Sequence, residues 1–232
     1  ASDLAIYGVN YKLGIPMMML VSVFEYAWKP FYMSNHIEPN AKKLYARVFT
    51  YFTLAAAFVF LITSFFIEYI VQMPFVGGRF INPDFWSGMG IIPIILAGYY
   101  FNGVFTNFSA GFLIEKKTAY LPIAVGSAAI INVISNIILI PFIGYYGAAY
   151  STLFAYMASA GILYYLSRKI YPIEYEFKRV FLIIASALLM FFIINIFVSN
   201  FSIILNIMLK FVSLILFIIL LKMTGFFNKE EL

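Results

Sequence analysis

The sequence predicts an all-helical integral membrane protein, and its composition carries that prediction. Of the 232 residues, 64% are hydrophobic and only 11% are charged, and the mean hydropathy is +0.95. Such a chain has too little polar surface to coat a water-soluble globule, so lipid must surround most of it. The apolar runs are long and do not alternate with polar residues. Membrane β-strands are about ten residues long and do alternate, so the spans are predicted to be helices.

Seven segments are long enough to cross a membrane. A spanning helix needs about 20 mainly apolar residues, because it rises about 1.5 Å per residue across a hydrocarbon core about 30 Å thick. We place the seven transmembrane helices at residues 6–28, 48–71, 88–114, 121–140, 147–166, 180–198 and 203–221.

The distribution of Lys and Arg predicts the orientation, because short loops rich in these residues stay in the cytoplasm. Arg79 alone follows an even-numbered span. Twelve of the 15 cations follow the odd-numbered spans: Lys29, Lys42, Lys43, Arg47, Lys116, Lys117, Arg168, Lys169, Lys178, Arg179, Lys222 and Lys229. The C terminus is therefore predicted to be cytoplasmic and residue 1 to lie on the other face. No signal peptide is visible, so we expect earlier spans to precede this segment in the complete protein.

Composition also excludes several classes of site. The chain has no Cys and one His, which excludes a thiolate or multi-histidine metal site and a cysteine nucleophile. We expect no metal and no cofactor. The net charge of +5 is scattered between apolar runs rather than gathered on one polar face, so we expect no nucleic-acid partner.

Lys12 is the central polar residue of the first span. It lies about six residues, or about 9 Å, from the outer edge, and an ionisable group at such a position is by default a candidate for function. Helical side chains lean toward the N terminus, so Lys12 either anchors the span at the membrane surface or lines a polar cavity. Tyr7, Asn10 and Tyr11 lie within one turn of it. These four residues are candidates for a substrate path.

Lys210 has the same geometry in the last span, but only Asn206 gives it polar company. We therefore expect Lys210 to reach the membrane surface. Seven spans with a lysine in the last are also typical of retinal proteins, in which a carboxylate pairs with that lysine. The third span has no acidic residue before Glu115 at its end, which argues against a light-driven pump.

Two further candidates lie on the fourth span. Asn132 and Asn136 are one turn apart, so their amides share a face and either bind a neighbouring helix or meet a polar ligand. Asn102 and Asn107 on the third span are five residues apart and do not stack on one face, so we expect no shared site there.

Two stretches of the sequence carry a resemblance to a known family. The first is 5–13 (AIYGVNYKL), with Phe24 and 27–30 (AWKP). The second is longer and more specific: 111–118 (GFLIEKKT), Asn132, Asn136, 139–141 (LIP), 144–152 (GYYGAAYST) and the Tyr171-Pro172 turn. Both resemble bacterial polysaccharide flippases of the multidrug/oligosaccharidyl-lipid/polysaccharide exporter superfamily, and the first is similar to the opening of the second half of these proteins.

The resemblance implies about fourteen spans in two lobes of six, followed by two additional helices. This chain would hold spans eight to fourteen, with five helices of the C-terminal lobe in 1–175 and the two additional helices in 176–232. The missing N-terminal lobe and membrane lipid would be its partners. The implied activity is flipping an undecaprenyl-pyrophosphate-linked oligosaccharide across the inner (plasma) membrane for surface polysaccharides such as O-antigen, with no chemistry on the substrate.

That task requires a polar cavity for the sugars, cations for the pyrophosphate and an apolar flank for the polyprenyl tail. Lys12 and its neighbours fit the first two requirements, and the Ile-, Leu- and Phe-rich last two spans fit the third. A single cation is too little for a pyrophosphate, so the other cations would come from the absent lobe.

Two other functions remain open. A cation-coupled drug antiporter of the same superfamily would use a carboxylate at mid-membrane depth, and these spans offer none there. A membrane glycosyltransferase or polymerase would need sizeable outer loops with catalytic groups. The loops at 72–87, 141–146 and 199–202 are short and nearly uncharged, so we expect a transporter rather than an enzyme.

Overall fold

A computed structural model describes residues 2–75, 78–197 and 202–226. The first residue, most of the predicted turn at 199–202 and Lys229 lie outside that part. The described residues form eight α-helices: α1 Asp3–Lys12, α2 Ile15–Asn35, α3 Ala41–Gln72, α4 Ile92–Ile114, α5 Tyr120–Ile143, α6 Tyr145–Ile170, α7 Phe177–Phe197 and α8 Ile203–Met223. A 3-10 helix, Pro83–Ile91, runs directly into α4, and the two-residue strands β1 (Pro74–Phe75) and β2 (Gly78–Arg79) pair antiparallel after α3.

The all-helical prediction is confirmed, and a helix occupies each predicted span. Within the described residues, five helices are long and apolar enough to cross a membrane: Ala41–Gln72, Pro83–Ile114, Tyr120–Ile143, Phe177–Phe197 and Ile203–Met223. The bent pair α1 and α2 makes a sixth if it is one broken span. The predicted fifth span, α6, has 26 residues but is not in this set, because tyrosines, serines and Thr152 make it less apolar.

The first predicted span is broken into α1 and α2, which meet at 49°. Gly14 lies at the break, and a Cβ there would be 2.7 Å from Ile95 Cγ2 and 3.2 Å from Tyr99 Cε2. The α4 surface therefore leaves room for no side chain at this position. Pro16 opens α2 at a position that tolerates proline. Irregular backbone among apolar helices is tolerated where protein buries it, and α4 does so here.

The centre of the bundle is α4, which packs against α2, α3 and α6. Helix α5 packs on α6, α7 packs on α3, and α8 packs on α7, so α5 and α8 form the two edges. Small residues permit these close crossings, as expected where lipid supplies no hydrophobic force between helices. Gly103, Ala110 and Gly111 of α4 are buried at such crossings.

Several cation-rich segments meet at one end of the bundle. Lys42 at the start of α3 lies 4.7 Å from the centre of the Tyr171 ring, which follows α6. Thr50 Oγ1 of α3 donates a hydrogen bond of 2.6 Å to Glu176 before α7. We name the end of the bundle that holds the contacts of Lys42 with Tyr171 and of Thr50 with Glu176 the cationic end. At the opposite end, the Tyr145 hydroxyl of α6 donates to the Ser87 carbonyl at 3.1 Å, which joins the α5–α6 turn to the 3-10 helix.

Candidate functional site

An uncharged groove with both polar and apolar residues in its lining runs between α4 and α5, with α6 as its floor. The cavity measures about 330 Å³. It forms because α4 and α5 both pack extensively on α6 but make few contacts with each other. Its polar lining comes from all three helices: Asn102 of α4, Asn132 of α5, and Thr152, Tyr156 and Ser159 of α6.

Helical spacing explains why these residues line one groove. On α5, Val125, Ala128, Ala129 and Asn132 follow the i, i+3, i+4, i+7 pattern of one helix face, and on α6 the same pattern holds for Thr152, Ala155, Tyr156 and Ser159. The alanines in each set carry no atoms beyond Cβ. The two faces therefore leave a cavity where larger side chains would fill it.

The hydroxyls on the floor of the groove present acceptors. Thr152 Oγ1 donates to the Ala148 carbonyl at 3.1 Å, and Ser159 Oγ donates to the Tyr156 carbonyl at 2.9 Å. Each bond uses the single hydroxyl hydrogen within α6. The oxygen lone pairs therefore remain for a ligand that donates hydrogen bonds.

The amides on the walls supply donors. Asn136 Nδ2 donates to Asn132 Oδ1 at 3.0 Å, which confirms that the two residues share a face of α5. In the part of the chain that the structure describes, neither the Asn132 amide nitrogen nor the Asn102 side chain has a hydrogen-bond partner. Asn136 Oδ1 is buried without one. The groove thus combines free donors with free acceptors and has no charged side chain in its lining.

Tyr7 and Tyr11 of α1 and Tyr99 of α4 form a row of ring contacts, which we name the tyrosine ladder. The Tyr7 and Tyr11 ring centres are 5.5 Å apart, and Tyr11 lies 5.7 Å from Tyr99 of α4. A Cβ at Gly98, next in sequence to Tyr99, would lie 3.6 Å from Cδ2 of Tyr156, which lines the groove. Two of the predicted site residues of α1, Tyr7 and Tyr11, thus pack toward the part of α4 that meets Tyr156.

Lys12 stands at the α1 end of this ladder, directly after Tyr11. It is exposed, and among the described residues its ammonium group has no hydrogen bond, ion pair or aromatic partner. It is also the last residue of α1, where the helix dipole favours a cation. No partner within the described protein neutralises this charge, so it is available to an anion.

Asn10 is the predicted site residue that the structure places elsewhere. It is only 1% exposed, and its amide nitrogen donates to the Ile6 carbonyl at 2.9 Å and to the Phe85 carbonyl at 2.8 Å. Both amide hydrogens are therefore used inside the protein. Asn10 fixes α1 on the 3-10 helix, where the absence of a side chain at Gly88 makes room for it.

No family model, curated protein or solved structure matches this chain. The geometry of the groove therefore carries the functional argument by itself.

Sequence reasoning missed four groove residues: Asn102, Thr152, Tyr156 and Ser159. Asn102 and Asn107 do not share a site, as predicted. Asn107 is buried, and its amide nitrogen donates to the Gly103 carbonyl at 2.9 Å. Asn102 alone faces the groove. The matching patterns of small and polar residues on α5 and α6 are the signal that identifies such a groove.

Proposed function

We propose that this chain is the C-terminal part of a flippase that carries an undecaprenyl-pyrophosphate-linked oligosaccharide across the bacterial inner membrane. One observation carries the proposal: an uncharged groove, to which amides and hydroxyls contribute beside small and apolar side chains, lies between helices whose outer faces are apolar. A saccharide needs such a lining, because every hydroxyl that leaves water must find a new hydrogen-bond partner.

The free donors of Asn102 and Asn132 and the acceptors of Thr152 and Ser159 match the two-way hydrogen bonding of sugar hydroxyls. The tyrosine ladder adds aromatic faces against which the C–H faces of a sugar ring pack. A cation-coupled antiporter would instead use a carboxylate, and none lines this groove. The observations therefore favour a saccharide carrier over the antiporter.

The lipid and pyrophosphate parts of the substrate need other surfaces. Lys12 offers an unpaired cation at the end of the tyrosine ladder, and we assign it to the pyrophosphate, with further cations from an N-terminal lobe. The outer faces of α7 and α8 expose large apolar side chains such as Phe192, Ile196 and Ile215, at 56%, 66% and 58% of their surface. A polyprenyl tail can lie along these faces without leaving lipid.

The proposal includes seven spans, with α1 and α2 as one broken span and α6 as the fifth. At about 1.5 Å per residue the 26 residues of α6 reach about 39 Å, enough to cross the hydrocarbon core. Ser151 and Ser159 of α6 are buried in the bundle, so these hydroxyls do not meet lipid. In this arrangement 1–175 belongs to a six-helix lobe, 176–232 to two additional helices, and the cationic end faces the cytoplasm.

The test is transport by the full-length protein reconstituted in vesicles, measured as the fraction of a polyprenyl-pyrophosphate-linked saccharide that becomes accessible to an external lectin. Lys12→Ala is expected to slow flipping at least about tenfold. A hydrogen bond to a charged group contributes about 1.5–3 kcal/mol, and about 1.4 kcal/mol is tenfold.

Two matched variants complete this test. Lys12→Arg keeps the charge and is expected to retain most of the transport, and Lys222→Ala, at the far end of α8, is expected to transport as wild type. Equal rates for Lys12→Ala and wild type would contradict the role of Lys12. The same rate in vesicles without the protein would contradict the flippase proposal itself.

A further inference from the structure

Lys210 of α8 is half-buried against α3. Its Nζ donates to the Phe65 carbonyl at 2.8 Å and to the Tyr69 hydroxyl at 3.2 Å, and it lies 4.4 Å from the centre of the Tyr69 ring. Within its own span the expected polar neighbour of Lys210 is Asn206, and the fold adds these two partners from α3. That Lys210 reaches the membrane surface stays a prediction. Both partners lie more than 140 residues away in sequence, so spacing within the last span does not reveal them.

The charge of Lys210 has hydrogen bonds but no counter-charge among the described residues. The nearest acidic side chain along α3, Glu68, is exposed and accepts a hydrogen bond of 3.1 Å from Gln72. A charge inside a membrane protein is costly unless an opposite charge or a full set of hydrogen bonds compensates it. The Lys210 site therefore carries one positive charge that no described acidic side chain balances.

Hydrogen-bonding capacity remains around this charge. The ammonium group has three hydrogens and uses two, and the Tyr69 oxygen accepts from Lys210, which leaves its own O–H hydrogen free to donate. Asn206, one turn before Lys210, has a buried Oδ1 without a partner. An anion beside Lys210 and Tyr69 would accept hydrogen bonds from the third ammonium hydrogen and from the Tyr69 hydroxyl. A hydroxyl on the same ligand would satisfy Asn206.

The depth of Lys210 and the apolar side chains near it indicate that the ligand is a lipid. Lys210 is seven residues, or about 10 Å, from the start of α8, and its side chain leans back toward that end. Tyr69 is within about 5 Å of the end of α3. Below this level α3 exposes Ile62 and α8 exposes Phe211, at 47% and 55% of their surface. Acyl chains would cover these side chains.

We propose that the surface formed by Tyr69 of α3 and by Asn206 and Lys210 of α8 holds the phosphodiester of a membrane phospholipid with a hydroxyl-bearing headgroup. The Lys210 ammonium and the Tyr69 hydroxyl donate to the phosphate oxygens, Asn206 accepts from the headgroup hydroxyl, and the acyl chains lie along the exposed apolar side chains. This site is separate from the groove on α4, α5 and α6 and does not rest on the flippase proposal.

The test is the thermal stability of the purified full-length protein in detergent, titrated with three probes. Dioleoylphosphatidylglycerol carries tails, phosphate and hydroxyls; dioleoylglycerol lacks the phosphate; inorganic phosphate lacks the tails. A ligand of the native state raises Tm by mass action. We expect phosphatidylglycerol to raise Tm well above the effect of the other two probes.

Variants of Lys210 and Tyr69 test whether these two side chains bind the lipid. Lys210→Met is expected to weaken apparent phosphatidylglycerol affinity at least about tenfold, since a charge-assisted hydrogen bond is lost. Tyr69→Phe keeps the ring and is expected to weaken it about threefold. Lys210→Arg keeps the charge and the affinity, and Lys222→Met, exposed at the other end of α8, is the control.

Three outcomes would overturn the proposal. Equal stabilisation by dioleoylglycerol would show that the tails alone bind. Stabilisation by inorganic phosphate alone would show that the site takes a free anion rather than a lipid. Unchanged phosphatidylglycerol affinity in Lys210→Met would show that the lipid binds elsewhere. If Lys210→Met does not fold, an unchanged affinity in Tyr69→Phe decides against the site.

Discussion

Replacing Gly147 with alanine is expected to destabilise the protein by about 1–3 kcal/mol, because the added methyl group overpacks the α5–α6 crossing. A Cβ at Gly147 would lie 2.6 Å from the Leu139 carbonyl carbon, 2.7 Å from the Ile140 nitrogen and 2.8 Å from the Leu139 oxygen. All three are main-chain atoms of α5, which cannot rotate aside as a side chain does. The two helices must move apart, and the groove that they frame must widen.

Gly161 provides a matched control on the same helix. A Cβ there meets no atom within 4 Å, so Gly161→Ala adds helix propensity of about 1 kcal/mol and no clash. Thermal unfolding of both variants in detergent is the measurement. We expect Tm to fall for Gly147→Ala and to stay level or rise for Gly161→Ala. Equal Tm values for the two variants would contradict the close α5–α6 crossing.

Replacing Asn132 with leucine is expected to slow transport by the full-length protein at least about tenfold. The variant loses the free amide donor of Asn132 and leaves the Asn136 nitrogen without the acceptor that it now has at 3.0 Å. An unsatisfied buried polar group costs about 1–3 kcal/mol. Leucine also places an apolar side chain where the saccharide would bind.

Asn195→Leu is the control for this substitution. Asn195 is exposed on α7, outside the groove, and its amide donates only to the Phe191 carbonyl at 2.8 Å. Lectin accessibility, normalised to the amount of folded protein in the vesicles, separates transport from stability. Equal loss of transport in both variants would remove the groove from the substrate path.

Much of the fold follows from the sequence because the membrane imposes length and composition on each helix. Predicted helices occur at all seven positions, and Lys42 and Glu176, in different predicted loops, meet partners at one end of the bundle. The break at Gly14 was not predicted. It depends on Ile95 and Tyr99 of α4, and only tertiary packing brings these side chains to α1 and α2.

The candidate site was predicted only in part, because spacing within one helix shows which residues share a face but not which residues of other helices they meet. Helical spacing alone placed Asn132 and Asn136 on one face, and their hydrogen bond confirms it. Asn10 carried the same sequence signal as Tyr11, but its amide nitrogen donates to Ile6 of α1 and to Phe85 of the 3-10 helix, and the side chain lies against Gly88. Helix-to-helix partners such as Tyr156 for the groove and Phe65 for Lys210 arise from long-range packing, which spacing within one span does not encode.

The transport proposal depends most on which way the bundle faces, and cysteine labelling tests this directly. These 232 residues contain no Cys, so in a full-length protein whose other cysteines have been replaced, a single introduced thiol is the target. Lys43→Cys samples the cationic end, and Phe142→Cys, at a side chain 83% exposed before the α5–α6 turn, samples the opposite end. With a membrane-impermeant maleimide on intact spheroplasts, we predict labelling of Phe142→Cys at once and of Lys43→Cys only after permeabilisation. Labelling of both from the same face would contradict the topology and the carrier built on it.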